Sequence, residues 1–222
     1  MNKGLFIFSE YEEKIMQDSK GFNMWADGYD MSVNLCEEDN KYPFAGYKNV
    51  LNGIYSEIHK RSNGRILDVG FGTGVLTQKL YHDGYEIFGV DFSERMIEIA
   101  KGKMPNATLI QYDFSNGLPQ ILCDNKYDYI ICTYAIHHLI TENKIQFINQ
   151  LLKCLNENGA ILIGDVAFET QEEQNICREK SGEDWDDDEI YIVFNDLKQY
   201  FPHDKIRLQQ ISYCAGIITF TL

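Results

Sequence analysis

The sequence predicts a three-layer α/β sandwich on a mostly parallel sheet of seven strands, with an antiparallel strand at its C-terminal end. Three observations carry that prediction. Short apolar runs of strand type alternate with amphipathic runs of helical type from residue 43 onward, as parallel strands joined by crossover helices require. The strand-type runs are apolar at consecutive positions, the pattern of strands covered on both faces. The last two such runs are separated by only a few residues, too few for a crossover, so they pair antiparallel.

Taken in order, residues 1–42 are polar and aromatic, with Phe22, Met24, Trp25 and Tyr29 clustered, and are expected to form a short helix and an irregular cap. From Pro43, the positions Tyr47, Val50, Leu51, Ile54 and Ile58 recur at helical spacing, with proline suited to the first turn. RILDV, YEIFGVD, ATLIQYD, YDYIICTY and AILIGDV then read as five parallel strands. VLTQKLYHD, SERMIEIAKGK and KIQFINQLLKCL read as the helices between them. An acid-rich helical insertion is expected near 169–201, and IRLQQIS and GIITFTL close the chain. With 222 residues and 44% hydrophobic content, one domain over 1–222 is expected, its core running from 43 to 222.

The formal net charge of -14 argues against a broad docking surface for nucleic acid or an anionic membrane. Six cysteines are scattered without a C-x-x-C pair and read as buried thiols, not as an iron–sulfur or disulfide framework. The opening MNKGLFIFSEYEEK has too short an apolar stretch for a signal peptide, and no run approaches membrane-spanning length. A cytoplasmic protein is expected.

The chemistry concentrates in Ile66-Leu67-Asp68-Val69-Gly70-Phe71-Gly72-Thr73-Gly74-Val75, a buried strand running into a glycine-rich turn that opens a helix. Glycines there allow positive φ and let a ligand approach backbone without meeting a Cβ. The dinucleotide fingerprint is G-x-G-x-x-G, whereas this chain has G-x-G-x-G followed by valine. A carboxylate at Asp68 would repel a pyrophosphate but suits an amino group and a positive sulfur, which favours S-adenosylmethionine over NAD. Asp91 ends the next strand at the usual distance for a carboxylate that accepts ribose hydroxyls. Asp113 and Phe114 end the third, placed to accept from an adenine amino group and to pack on the base. Ends of adjacent parallel strands converge on one crevice.

In that order, DVGFGTG, GVDFS, YDF and YIICTYAIHHL resemble the class I S-adenosylmethionine-dependent methyltransferases, which have a Rossmann-like fold. The resemblance covers roughly residues 22 to 166. FNMWADGYD and ISYCAGIITF further resemble the bacterial YrrT-type small-molecule methyltransferases. It implies that Gly70, Gly72, Thr73 and Gly74 surround the methionine part of the cofactor and that Asp68 orients its amino group. It implies Asp91 on the ribose, Phe92 and Met96 along the adenosine, and Asp113 and Phe114 at the adenine. Thr133, Tyr134 and Ala135 would lie near the transferable methyl. Tyr29 would close over the cofactor, with Trp25 nearby, and Trp25, Tyr29, Tyr134 and His137 would face the acceptor.

His137 and His138 are candidate general bases, since histidine titrates near neutrality; the resemblance tempers this, because paired histidines followed by leucine at this place read first as helix-start packing. Asp113 also reads as a helix cap. The run Glu183 to Glu189 reads as a solvated helix start before it reads as a cation site, and no histidine and carboxylate spacing along the chain suggests a metal. The expected activity is direct methyl displacement from a sulfonium to a small-molecule acceptor. The alternatives are an NAD-dependent oxidoreductase and a non-catalytic S-adenosylmethionine-binding protein.

Overall fold

The computed structural model describes residues 40–222. The cap segment, with Trp25, Tyr29 and Cys36, lies outside the described residues apart from its last three positions.

Five strands, β1 (Arg65–Val69), β2 (Glu86–Asp91), β3 (Thr108–Gln111), β4 (Tyr127–Thr133) and β5 (Leu155–Phe168), run parallel, followed by β6 (Ile192–Val193), β7 (Ile206–Gln210) and β8 (Ala215–Thr221). The sheet order is β3-β2-β1-β4-β5-β8-β7, with β8 antiparallel to both neighbours. That path has the seven strands expected; the two-residue β6, paired parallel with the end of β5, is an eighth that was too short to read.

Neighbouring residues of one strand feed opposite layers. Ile66, Ile87, Leu109, Ile131 and Leu162 join the core beneath helices α1 (Tyr47–Ile58), α2 (Val75–His82) and α3 (Glu94–Lys103). Leu67, Phe88, Ile130, Ile161 and Ile163 join the core beneath α4 (Gln120–Cys123) and α5 (Thr141–Lys153). Each such side chain contributes on the order of 1.5–3 kcal/mol when fully buried, which explains why the consecutive apolar pattern was so readable.

The helix expected from Pro43 begins at Tyr47, because Gly46 at φ 81 interrupts the turn before it. The acidic insertion departs further from its expected form. α6 (Gln171–Ser181) is closed at its N-terminus by Thr170 and Glu173, which each bond the other's backbone N–H. After a 3-10 turn at Gly182–Asp184 the chain is irregular until β6, and only α7 (Phe194–Leu197) and a further turn resume helix. The acids of this run therefore follow a helix rather than begin one.

Candidate active site

Sheet order reverses between β1 and β4, so the crevice lies beyond their carboxyl ends, where ligands of doubly wound sheets bind. A cleft open to solvent, lined by the glycine turn and by residues that follow β2 and β4, occupies that place.

Its floor is the glycine turn. Gly70, Gly72 and Gly74 have φ of 68, 53 and 75, values side chains rarely adopt. A Cβ on Gly70 would stand 2.6 Å from the Ala135 Cβ, so this glycine lets the ends of β1 and β4 approach. A Cβ on Gly72 would meet nothing within 4 Å among the described residues, so this glycine keeps backbone bare toward the cavity.

Asp68 lies beneath the turn, 1% exposed. Its Oδ2 accepts the Thr77 hydroxyl, and its Oδ1 has no partner among the described residues. Burial pushes its carboxyl up to about 7, against the Thr77 hydrogen bond and helped by the charge of Asp91. Asp91 is also buried; its Oδ2 accepts the Gly72 N–H and its Oδ1 the Ser93 N–H, both at 2.9 Å. It thus ties the glycine turn to the end of β2. Burial raises its pKa, while the N–H groups of Ser93, Gly72 and Phe92 oppose the rise. Each of its oxygens keeps a further acceptor position.

The cavity wall brings together Asp68, Gly70, Gly72, Thr73, Asp91, Phe92, Met96, Phe114, Thr133, Tyr134, Ala135 and His138 from the sequence-derived set. Tyr134 holds φ 49, unusual for a residue with a Cβ, and its N–H donates to the Gly164 carbonyl at 2.8 Å. Its ring packs 5.1 Å from Tyr47 and 5.5 Å from Phe44, centroid to centroid. Tyr47 and Leu51 of α1, both on the wall, were read from the sequence only as helix residues; nothing in a helical repeat distinguishes a residue facing the core from one facing a cavity.

Three described members of the set stand off the wall: Gly74, which is the N-cap of α2, Asp113 and His137. Asp113 is exposed and caps the following 3-10 turn, its Oδ1 accepting the Ser115 N–H at 2.9 Å. His137 is buried behind the cavity, with Nδ1 2.7 Å from Asp165 Oδ1 and Nε2 3.4 Å from Glu189 Oε1. Burial alone would lower its pKa, but the charges of Asp165 and Glu189 carry it to about 9. His138 is exposed on the wall, its pKa lowered by the protein packed around it and then by His137.

Fold and cavity together define a doubly wound α/β protein with a small-molecule cleft at the reversal of its sheet. The methyltransferase-domain family matches residues 60–205. An uncharacterized methyltransferase of Alkaliphilus oremlandii is 32% identical over 183 residues, 82% of this chain and 81% of that protein. Another, from Oceanobacillus iheyensis, is 38% identical over 68% of each chain. The fold is similar to that of magnesium protoporphyrin IX methyltransferase from Synechocystis with bound S-adenosylhomocysteine (TM-score 0.65, 17% identity, covering 91% of this chain and 98% of that one). It is equally similar to a DhpI complex with S-adenosylmethionine (TM-score 0.64, 16% identity, covering 95% and 98%). The chain belongs to the methyltransferase-domain family, as a class I S-adenosylmethionine-dependent methyltransferase.

Proposed function

We propose that the cavity at the ends of β1, β2 and β4 holds S-adenosylmethionine and that the chain passes its methyl group to a small-molecule acceptor in the cytoplasm. The observation that carries this reading is Asp68: a buried carboxylate with one oxygen unpartnered among the described residues, under a backbone turn whose central glycine faces the cavity. An ammonium group satisfies that oxygen; a phosphate would be repelled by it.

In this arrangement Asp68 receives the ligand's amino group, directly or through water, and Gly70, Gly72, Thr73 and Gly74 border its methionine part. Asp91 accepts the ribose hydroxyls while still holding Gly72, Phe92 and Met96 flank the adenosine, and Phe114 packs on the adenine. Asp113 reaches the adenine only by leaving its cap. When bound, the ligand supplies a methyl on a positively charged sulfur that departs as a neutral thioether. The chain's task is alignment and exclusion of water. Thr133, Tyr134 and Ala135 border the reacting end, and His138 stands on the wall beside them. The net charge of -14 disfavours a nucleic-acid acceptor.

Calorimetric titration with S-adenosylmethionine and S-adenosylhomocysteine tests the site. Saturable binding, lost at least tenfold in folded Asp68→Ala and Asp91→Ala variants, is expected. Undiminished affinity in both would place the cofactor elsewhere. Release of S-adenosylhomocysteine on a panel of small metabolites, and not on nucleic acids, tests the acceptor class.

A further inference from the structure

Behind the cavity, the end of β4 and the irregular segment before β6 bring together three side chains far apart in sequence. Ring nitrogens of His137 and His138 and a carboxylate oxygen of Glu189 all lie within 4.8 Å of one another. Ligands at about 2.0–2.2 Å from a tetrahedral divalent ion stand about 3.3–3.6 Å apart, so binding draws the widest pair together by on the order of 1 Å. His138 is exposed, and Glu189 sits on irregular chain.

The surroundings orient these groups as metal ligands are oriented. His137 presents Nδ1 to Asp165, which is 1% exposed and is itself fixed by the Val166 N–H at 2.7 Å. Nε2 is thereby turned toward Glu189. A carboxylate on the far nitrogen is the usual device that sets the tautomer and direction of a ligating histidine. Glu189 is oriented in turn: its Oε2 accepts the Tyr191 hydroxyl at 2.6 Å, which leaves Oε1 facing the histidines. Two carboxylates, Asp165 and Glu189, thus flank one imidazole, a charge arrangement that a dication balances.

We propose that His137, His138 and Glu189 bind a zinc-like divalent ion next to the acceptor end of the cavity. Two imidazoles and one carboxylate suit zinc, iron, cobalt or nickel, and three protein ligands leave a coordination position open. Because His138 also lines the cavity, the ion adjoins the space in front of Thr133, Tyr134 and Ala135. An acceptor oxygen or sulfur taking the open position loses its proton to solvent more readily. It then forms the bond to the methyl carbon while the carbon–sulfur bond breaks and its electron pair stays on the departing thioether. This catalytic part rests on the cofactor reading above; the binding of the ion does not.

The test uses the full chain after chelator treatment and dialysis, titrated with Zn²⁺ and, in parallel, with Co²⁺ as a spectroscopic probe. One equivalent is expected, with a cobalt spectrum of nitrogen and oxygen ligands and no thiolate charge-transfer band. His138→Ala and Glu189→Gln, verified as folded by circular dichroism, are expected to lose zinc affinity about tenfold or more. Absence of binding, a thiolate band from the cysteines, or undiminished affinity in both variants overturns the proposal and leaves His137 a buried ion pair with Asp165 and Glu189. S-adenosylmethionine binding by the metal-free wild-type chain is measured alongside. If it persists while zinc fails to bind, only the metal proposal falls; if it is absent, the cofactor reading falls independently.

Discussion

Burial holds the pKa of Asp68 near 7, well above its ordinary 3.8, and two consequences of opposite sign follow. In the ligand-free protein the folded chain keeps a proton that the unfolded chain releases between those values. Stability from this group is therefore full below about 4 and is lost as pH rises toward about 7. Asp68→Asn keeps an acceptor for Thr77 and removes the charge, so its melting temperature is expected to exceed wild type at pH about 8 and to converge on it at acid pH. Thermal unfolding across that range measures the crossing. Binding behaves oppositely: an ammonium beside Asp68 favours the ionised form, so affinity for S-adenosylmethionine should rise with pH up to about 7. The rise is limited to about tenfold per unit and levels off before the ligand's own amino group titrates near 8. Calorimetry in buffers of different ionisation enthalpy should show proton release below pH 7 in wild type and none in Asp68→Asn. The glycines separate in the same way. Gly72→Ala meets no described neighbour and costs about 1–2 kcal/mol for its left-handed backbone, but its methyl enters the cavity, so ligand affinity should fall more than stability. Gly70→Ala drives a Cβ against Ala135 and should fall mainly in stability. A comparison of urea midpoints with dissociation constants for the two variants decides between these outcomes.

At the scale of elements, α1 lies on the sheet through glycines. A Cβ on Gly164 of β5 would stand 2.8 Å from Ile54 Cδ1 and press on Val50. A Cβ on Gly53 of α1 would stand 2.6 Å from Ile217 Cδ1 of β8. This contact also sets the Tyr134 N–H on the Gly164 carbonyl and so fixes the end of β4 at the cavity. Gly164→Ala is expected to cost about 1–3 kcal/mol by overpacking, and Val50→Ala should recover part of it in a double-mutant cycle read by urea denaturation. The elements themselves were legible because a strand covered on both faces leaves a consecutive apolar run, and RILDV and EIFGVD are found at the bounds their letters suggest. What could not be read was which helix residue faces which surface, as with Tyr47 and Leu51. The acidic run was misjudged because its composition is that of a solvated helix end, whereas the disposition of Glu189 depends on His137 and Tyr191, contacts invisible along the sequence.

For the molecule as a whole, the reversal of strand order gathers Asp68, Asp91 and the Thr133–Ala135 turn into one cleft, and the glycine register made that much visible beforehand. Next to the cleft, the segment from Gly182 to Val193 is tied to the turn at Ile136–His138, and there a buried cation matters more than any motif. Lys144 of α5 is 2% exposed, and its ammonium donates to the carbonyls of Leu139 and, at 2.6 Å, of Ile190. Ile190 in turn donates its N–H to the His137 carbonyl at 2.9 Å. Tyr42, stacked 5.0 Å from Trp185 and hydrogen-bonded to Tyr191, clamps the same segment from the other side. Desolvation of Lys144 already lowers its pKa to about 8, although Asp165 and Glu189 oppose it, so the bonds to two carbonyls are made by a charge held at some cost. Lys144→Met fills the space and removes both hydrogen bonds, which strands the buried Leu139 carbonyl at about 1–3 kcal/mol and the part-buried Ile190 carbonyl at less. The loss should fall where those carbonyls are tied. Amide hydrogen exchange is expected to accelerate in 185–193 and around 137–140 while the strands β1 to β5 keep their protection. Uniform acceleration over the sheet would instead mean that Lys144 supports the core as a whole, and that the segment is held by its aromatic clamp alone.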